Sequence, residues 1–225
     1  MNNLAIIAAR GGSKRIPGKN IKNFMGRPII AYSIEAAIKS ALFTEIMVST
    51  DDEEIAAVAK QYGAKVPFLR SAENADDYAT LADVADEVRA EYEKQKIFFD
   101  NICLILPTAP FISPDILKKT YHLLLSEDID SVRPVVKFSY PIQRALKMRN
   151  GKLQMFYPEH KTTRSQDLEP AYHDAGQFYW MKTEKALRGT NKFGFEIPEI
   201  LVQDIDNEED WRMAEMKYKY LNEKR

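Results

Sequence analysis

The chain is expected to fold as a Rossmann-like α/β sandwich of three layers with a mostly parallel central sheet. Three observations lead there. Short apolar runs recur along the sequence, several of them apolar on both faces, as strands covered by helices on either side must be. Amphipathic helical segments separate the first of these runs. The first run also ends in a glycine-rich basic turn, at the position where open α/β sheets place their ligands. With 225 residues, 45% of them hydrophobic, a single domain over 1–225 can bury a sizeable core and still carry an insertion.

The strand candidates are LAIIAA (4–9), EIMVS (45–49), AKVPFL (64–69), NICLIL (101–106), SVRPVV (131–136), GQFYWM (176–181) and EILVQ (199–203). PIIAYSIEAAIKSA repeats apolar residues at helical spacing, and Pro28 is acceptable in a first helical turn. DDEEIAAVAKQYG opens with acids that suit a helix N-terminus and stops at Gly63. SPDILKKTYHLLLS has Ser113 as N-cap, followed by Pro114. NEEDWRMAEMKYKYLNEKR reads as an amphipathic C-terminal helix. The alternation breaks after about residue 137. There RALKMRNGKLQMFYPE reads as a hairpin around Asn150-Gly151, a favoured two-residue turn. A polar loop to about His173 completes an inserted arm at about 138–175, of the kind that serves as a lid or a dimer contact.

Charge and cysteine usage exclude several classes. The 32 basic and 33 acidic residues leave a net charge of -1, so no global field draws nucleic acid or an anionic membrane. No apolar stretch reaches bilayer length and the N-terminus lacks a secretory apolar core. Cys103 is the only cysteine, which rules out internal disulfides and cysteine metal sites; within NICLIL it reads as a buried structural thiol. A soluble protein of a reducing compartment, the cytoplasm, is expected.

Charge is nevertheless uneven locally. From Met1 to Ile34 there are six cations, Arg10, Lys14, Arg15, Lys19, Lys22 and Arg27, and no acid. The stretch AARGGSKRIPGKN (8–20) holds four of them with adjacent Gly11 and Gly12. Glycines let bare N–H groups approach oxyanions, and Arg and Lys side chains can clamp the same phosphates. The competing reading is a solvated, charged turn; the position after the first strand and the lack of any acid favour phosphate. The loop is neither of the common phosphate motifs. A GxxxxGK[ST] loop is not matched, since Lys19 precedes Asn20, and no third glycine completes GxGxxG.

AARGGSKRIPGKN resembles the signature loop of the acylneuraminate cytidylyltransferase family, whose members activate nonulosonic acids. STDDEEIAAVAKQYGA, FLR (68–70), PTAP (107–110) and VQDID follow in the family's order, over essentially the whole chain. PIQRAL, MFYPE and TRSQDLEPAYHDAGQFYW are most similar to its pseudaminic acid branch. The resemblance implies a fold of nucleotide-diphospho-sugar transferase type. The implied reaction is attack by a sugar's anomeric hydroxyl on the α-phosphorus of CTP, giving pyrophosphate and a CMP-sugar for surface glycan or flagellin glycosylation. Charge neutralisation and alignment dominate such a transfer.

The same resemblance assigns residues. Arg10 and Lys19 fall to the triphosphate and the reacting phosphate. Gly11 and Gly12 supply close N–H groups, and Ser13 and Lys14 fall to the β- and γ-phosphates, although Lys14 and Arg15 could equally be solvated. Main-chain groups of Ala8 and Ala9, with Asn20, Arg70 and Thr80, fall to the nucleotide. Arg70 has the alternative of an ordinary surface arginine, and Thr80 that of a helix start. Arg164 matches the family's sugar-carboxylate arginine. Arg144, on the arm, is either a solvated hairpin residue or a contact reaching a site across a dimer interface. Gln143, Gln177 and Tyr179 suit sugar hydroxyls or N-acyl groups, while Phe178 and Trp180 alternate into the core. His173, beside Asp174, is a substrate contact, and His122 is structural.

Asp204 and Asp206 leave the last apolar run, and alternation puts both carboxylates on one side with Ile205 on the other. Together with phosphate oxygens they make a hard site for Mg²⁺, with Mn²⁺ as substitute. The alternative is that these acids cap the last helix, a role for which Asn207 and Asp210 also qualify. Leu106 stands where many sialate-specific relatives carry glutamine, which fits a differently substituted sugar. The remaining readings are acceptors such as N-acetylneuraminate, legionaminate or a deoxyoctulosonate, and an inactive nucleotide-binding module. The expected partners are CTP, a nonulosonic acid and a second copy in a homodimer, with no nucleic acid and no membrane.

Overall fold

The structure, a computed structural model, describes residues 1–126 and 128–223. β1 (Asn3–Ala8) leads through the basic loop to two short strands, β2 (Asn23–Phe24) and β3 (Arg27–Pro28), and then α1 (Ile30–Ser40). β4 (Glu45–Ser49), α2 (Glu53–Gln61), α3 (Leu81–Lys94), β5 (Asn101–Ile105), α4 (Pro114–Leu124) and β6 (Ser131–Lys137) follow. The arm carries β7 (Leu146–Arg149) and β8 (Lys152–Met155). β9 (Tyr172–Asp174), β10 (Phe178–Lys182) and β11 (Lys192–Glu196) return to the sheet before α5 (Glu208–Glu223). Lys224 and Arg225, the end of the expected last helix, lie outside the described residues.

The central sheet runs β11-β6-β10-β5-β1-β4, with β9 also paired to β6. β1 is parallel to β4 and β5, and β11 is parallel to β6; β10 is antiparallel to both β5 and β6. The sheet is therefore mostly parallel with β9 and β10 reversed. The alternation of β1 shows why three layers form. Ala5 and Ile7 join a buried cluster with Ile34 of α1, Ile55 of α2 and Leu117 of α4. Leu4 and Ile6 join the opposite one, with Val88 and Tyr92 of α3. Each face must be covered because each is fully apolar. Cys103 is buried among them, and burial pushes its thiol pKa up, as an inert structural cysteine requires.

Local signals explain most boundaries. Asp52 caps α2 by accepting from the N–H groups of Glu54 and Ile55, and Ser113 caps α4 by accepting from Ile116. Gly63, at φ 93, ends the turn after α2. In the hairpin Asn150 (φ 51) and Gly151 (φ 77) are both left-handed, the conformation a type I′ turn demands, and β7 and β8 pair as expected.

Four expectations require correction. AKVPFL is not a strand: Lys65 alone bridges Met47, and Pro67, lacking an N–H, cannot extend the ladder. EILVQ is not a strand either; Glu199–Leu201 form a 3₁₀ turn after Pro198, and Val202 and Ile205 are buried without pairing. Pro28 lies in β3 opposite Asn23, not in the first turn of α1. The arm ends sooner than 175, since β9 already pairs with β6 from Tyr172. The strands β2, β3, β9 and β11, and the helix α3 that follows the start offered at Thr80, complete the architecture beyond the expected elements.

Candidate active site

The basic loop closes on itself and on the end of β4. The Ala9 N–H donates to the Ser49 carbonyl (2.9 Å), and the buried Asn20 amide donates to the Arg10 carbonyl (2.8 Å). The Gly11 N–H donates to Asp51 Oδ1 at 2.8 Å. A Cβ on Gly11 would stand 2.8 Å from Asp52 Oδ2, so glycine is needed here for close approach to the cap of α2. The chain turns tightly at Gly11-Gly12, where the Ser13 N–H donates to the Gly11 carbonyl (2.8 Å), and the loop's left-handed residue is Gly18, φ 61. Gly12 faces open space.

A cleft of about 440 Å³ opens over this loop, lined by Arg10, Ser13, Lys14, Lys19, Asn20 and, from the far end of the chain, Asp204. Ala8 and Leu106 are also on its wall. Its cations are already engaged. Arg10 Nη1 donates to the Asp76 carbonyl (2.6 Å) and pairs with Asp77 Oδ1 (3.0 Å), and Lys14 pairs with the other Asp77 oxygen. Lys14 first, then Arg10, holds the Asp77 carboxyl below its ordinary range. Arg15 Nη2 meets Asp206 Oδ1 at 2.7 Å. Lys19 Nζ donates to the Ile205 carbonyl at 2.8 Å. Burial pushes the Lys19 pKa down, against the pull of Asp206 and Asp204.

Packing brings these two chain ends together. Ile16, Phe24 and Ile29 form one buried cluster with Ile205, Trp211 and Ala214. Phe24 packs edge-on against Trp211 (5.6 Å) and Tyr218 (5.5 Å) of α5. Ile205 points into this cluster while Asp204 and Asp206 face outward, as alternation requires. Neither aspartate caps α5: Asn207 Oδ1 accepts from Glu209 and Asp210, and Asp210 accepts from Asp206 and Asn207. Among the described residues no group of three or more His, Cys, Asp or Glu could enclose a metal ion. Two outward carboxylates beside the loop cations offer hard oxygen donors of the kind that fit Mg²⁺, an ion that keeps much of its shell as water and phosphate oxygens.

A second cavity of about 520 Å³ adjoins the cleft, sharing Leu106 and Asp204 with it. His173, Asp174, Tyr179, Glu199, Gln203 and Lys217 line it. The Tyr179 hydroxyl donates to Asp174 Oδ1 (3.2 Å), while Asp174 Oδ2 pairs with Arg133 (3.0 Å), whose guanidinium lies 5.0 Å from the Tyr179 ring centre. Burial, and then the Asp174 charge, push the Tyr179 phenol up. His173 Nδ1 contacts the Asp174 carbonyl at 2.9 Å and not its carboxylate. Phe178 and Trp180 are fully buried, as the alternation of β10 requires.

The structure places other candidate residues elsewhere. Arg70 is buried and holds the end of β4, with Nε to Ser49 Oγ (2.9 Å) and Nη2 to the Ser49 carbonyl (2.6 Å). Burial also depresses its pKa, and no wall of the cleft includes it. Thr80 caps α3 in a capping box with Asp83, so a helix start accounts for it. Gln177 is buried and donates to the Leu201 carbonyl (2.6 Å), bracing the 199–203 turn from behind the cavity. On the arm, Gln143 donates to the Glu169 carbonyl (2.8 Å), and Arg164 pairs with Asp167 (2.8 Å). Neither residue, nor Arg144, lines either of these two cavities. The sequence reading missed Asp77, Arg133, Glu199, Gln203 and Lys217; only their three-dimensional placement marks them.

A doubly covered, mostly parallel sheet with a phosphate-type loop after β1 and outward carboxylates opposite defines a nucleotidyltransferase-like site. Comparison places the chain more narrowly: the cytidylyltransferase family model matches residues 4–220, and the chain belongs to that family. It is 42% identical to the pseudaminic acid cytidylyltransferase of Campylobacter jejuni subsp. jejuni serotype O:2, covering 99% of both chains. It is 33% identical to the CMP-N,N'-diacetyllegionaminic acid synthase of Legionella pneumophila, covering 96% of this chain and 95% of that one. In structure it matches CMP:2-keto-3-deoxy-manno-octonic acid synthetase complexed with CTP, with a TM-score of 0.71 at 17% identity over 99% of this chain and 100% of that one.

Proposed function

We propose that this chain transfers CMP from CTP to the anomeric hydroxyl of a nonulosonic acid, pseudaminic acid in the first place. The hydroxyl oxygen attacks the α-phosphorus, the bond to the bridging β-oxygen breaks, and pyrophosphate leaves. The observation that carries the reading is that Arg10 and Lys19 of the loop and Asp204 from the far end of the chain line one cleft, with Asp206 close enough to act on Lys19 and with Asp204 also lining the adjoining cavity. Triphosphate in the basic cleft and sugar in the other would put the reacting atoms at the wall shared by Leu106 and Asp204. Arg10 and Lys14 would exchange Asp77 for phosphate oxygens, and Lys19 would face the charge that develops on the α-phosphate. Asp204 and Asp206 would hold Mg²⁺, which supplies charge neutralisation of the phosphates. The identity to pseudaminic acid cytidylyltransferase, and leucine at position 106, support that acceptor.

Pyrophosphate release from CTP and Mg²⁺ tests this across pseudaminate, N-acetylneuraminate, legionaminate and a deoxyoctulosonate. Turnover is expected with pseudaminate ahead of the rest; CTP binding without release from any acid would leave a nucleotide-binding module. Mn²⁺ binding followed by electron paramagnetic resonance should be lost in the Asp204→Ala, Asp206→Ala double variant, and its survival would remove these residues as ligands. The reading includes a cytoplasmic homodimer built on the arm. Its support is the apolar hairpin surface, with Leu146, Met148 and Leu153 exposed by 55%, 70% and 62%. A dimer would let Gln143, Arg144 and Arg164 serve the partner's sugar cavity. Sedimentation showing only monomer at micromolar concentration would contradict it.

A further inference from the structure

The cations around the two cavities divide by what they touch. Arg10, Lys14, Arg15 and Arg133 are each paired with a carboxylate. Lys19 and Lys217 instead donate to main-chain carbonyls, of Ile205 (2.8 Å) and Val202 (2.6 Å), on either side of Asp204. Lys19 comes from the loop and lines the nucleotide cleft; Lys217 comes from α5 and lines the second cavity. Among the described residues no carboxylate lies within ion-pair distance of Lys217, and Glu199 acts on it only through space. It is a partly buried ammonium with one carbonyl partner and remaining N–H donors at the wall of a cavity.

The acceptor named under the proposed function, on which this inference rests, carries its carboxylate on the same carbon as the attacking hydroxyl. With that hydroxyl at the shared wall by Asp204, the carboxylate must lie at the near end of the second cavity. Within that cavity the Asp174 carboxylate is neutralised by Arg133, and Glu199 and Gln203 offer acceptors for hydroxyl and amide hydrogens. Arg164, the cation expected for this task, is paired on the exposed arm. We propose that Lys217 binds the acceptor's carboxylate and so selects 2-keto acids over neutral sugars of the same shape.

The test compares non-reacting ligands, the 2-deoxy acid of the acceptor that is turned over and its C1 carboxamide, as competitive inhibitors of wild type, Lys217→Gln and Lys217→Arg. Wild type should prefer the acid by about tenfold or more, as a charge-assisted bond allows. Lys217→Gln should reduce the preference to about twofold with the KM for CTP unchanged, and Lys217→Arg should keep it. Equal weakening of acid and carboxamide, or a KM for CTP that rises in step, would show that Lys217 only positions the 202–206 segment and would overturn the proposal. A preference left intact in Lys217→Gln would overturn it too, with the transferase reading untouched. A wild-type protein that releases pyrophosphate with no acid would instead sink that reading and this one with it.

Discussion

Replacing Lys19 with Met probes the chemistry most directly, because the side chain is both a site cation and a structural tie. Its ammonium is partly buried, bonds to the Ile205 carbonyl at 2.8 Å, and keeps further N–H donors toward the cleft. As one preorganised donor to a charge that grows during reaction, it should be worth about 10²–10³ in kcat, or about 2.7–4 kcal/mol. The lost charged hydrogen bond to Ile205 should separately cost about 1.5–3 kcal/mol of stability. For a chain of this length that is a fall in Tm of about 3–12 °C. Pyrophosphate release at saturating CTP and acceptor reads the first effect, and thermal unfolding reads the second. Lys19→Arg keeps the charge but spreads it over a planar fork, and should recover stability better than turnover. A Lys19→Met enzyme that melts early yet keeps kcat within about threefold of wild type would refute the catalytic assignment and leave Lys19 as a tie alone.

Gly11→Ala drives a methyl against Asp52 and should cost about 1 kcal/mol, or a few degrees in Tm, through the lost cap of α2. Adding Asp52→Ala to it should cost little more, and full additivity in the melts would disprove the clash. Thr80→Ala should lose about 1 kcal/mol of stability with no change in the KM for CTP; a rise in that KM at unchanged Tm would return Thr80 to the nucleotide site. Asp77→Asn frees Arg10 and Lys14 and should lower the KM for CTP at low ionic strength, the gain fading as salt is added. Identical KM values at low salt would mean that Asp77 does not compete with phosphate.

What could be read from the sequence is what local chemistry dictates. β1 is apolar on both faces and is buried on both; Ser113-Pro114 and Asn150-Gly151 dictate a helix start and a hairpin turn wherever they fall. α3 carries a legible signal in the helix start at Thr80: Asp83 stands three residues on, and apolar residues follow at 81, 84, 85, 88 and 92. β11 did not, because KFGFE is an exposed edge strand with a glycine at its centre, where Val135 packs 3.1 Å from a would-be Cβ. Nor does any local pattern tell that β10 runs antiparallel between β5 and β6.

The site divides along the same line. The loop cations and the outward pair at 204 and 206 follow from residue order and alternation, so their types and facing were legible. Whether a given arginine is free to meet a ligand depends on which acceptors the fold delivers to it, and sequence is silent on that. Arg70 is taken by Ser49 and Arg133 by Asp174, through contacts between segments 21 and 41 residues apart, whereas Arg164 pairs locally with Asp167. The meeting of the two chain ends is likewise a packing result. Ile205 is drawn under the loop by Ile16, Phe24 and Trp211, and the carboxylates on either side are carried outward with it. Lys19 and Lys217 then fix the flanking carbonyls from opposite sides, so the position of Asp204 is set from both cavities at once. A buried apolar residue thereby determines where two charged ones stand, which is why cluster and site have to be understood together.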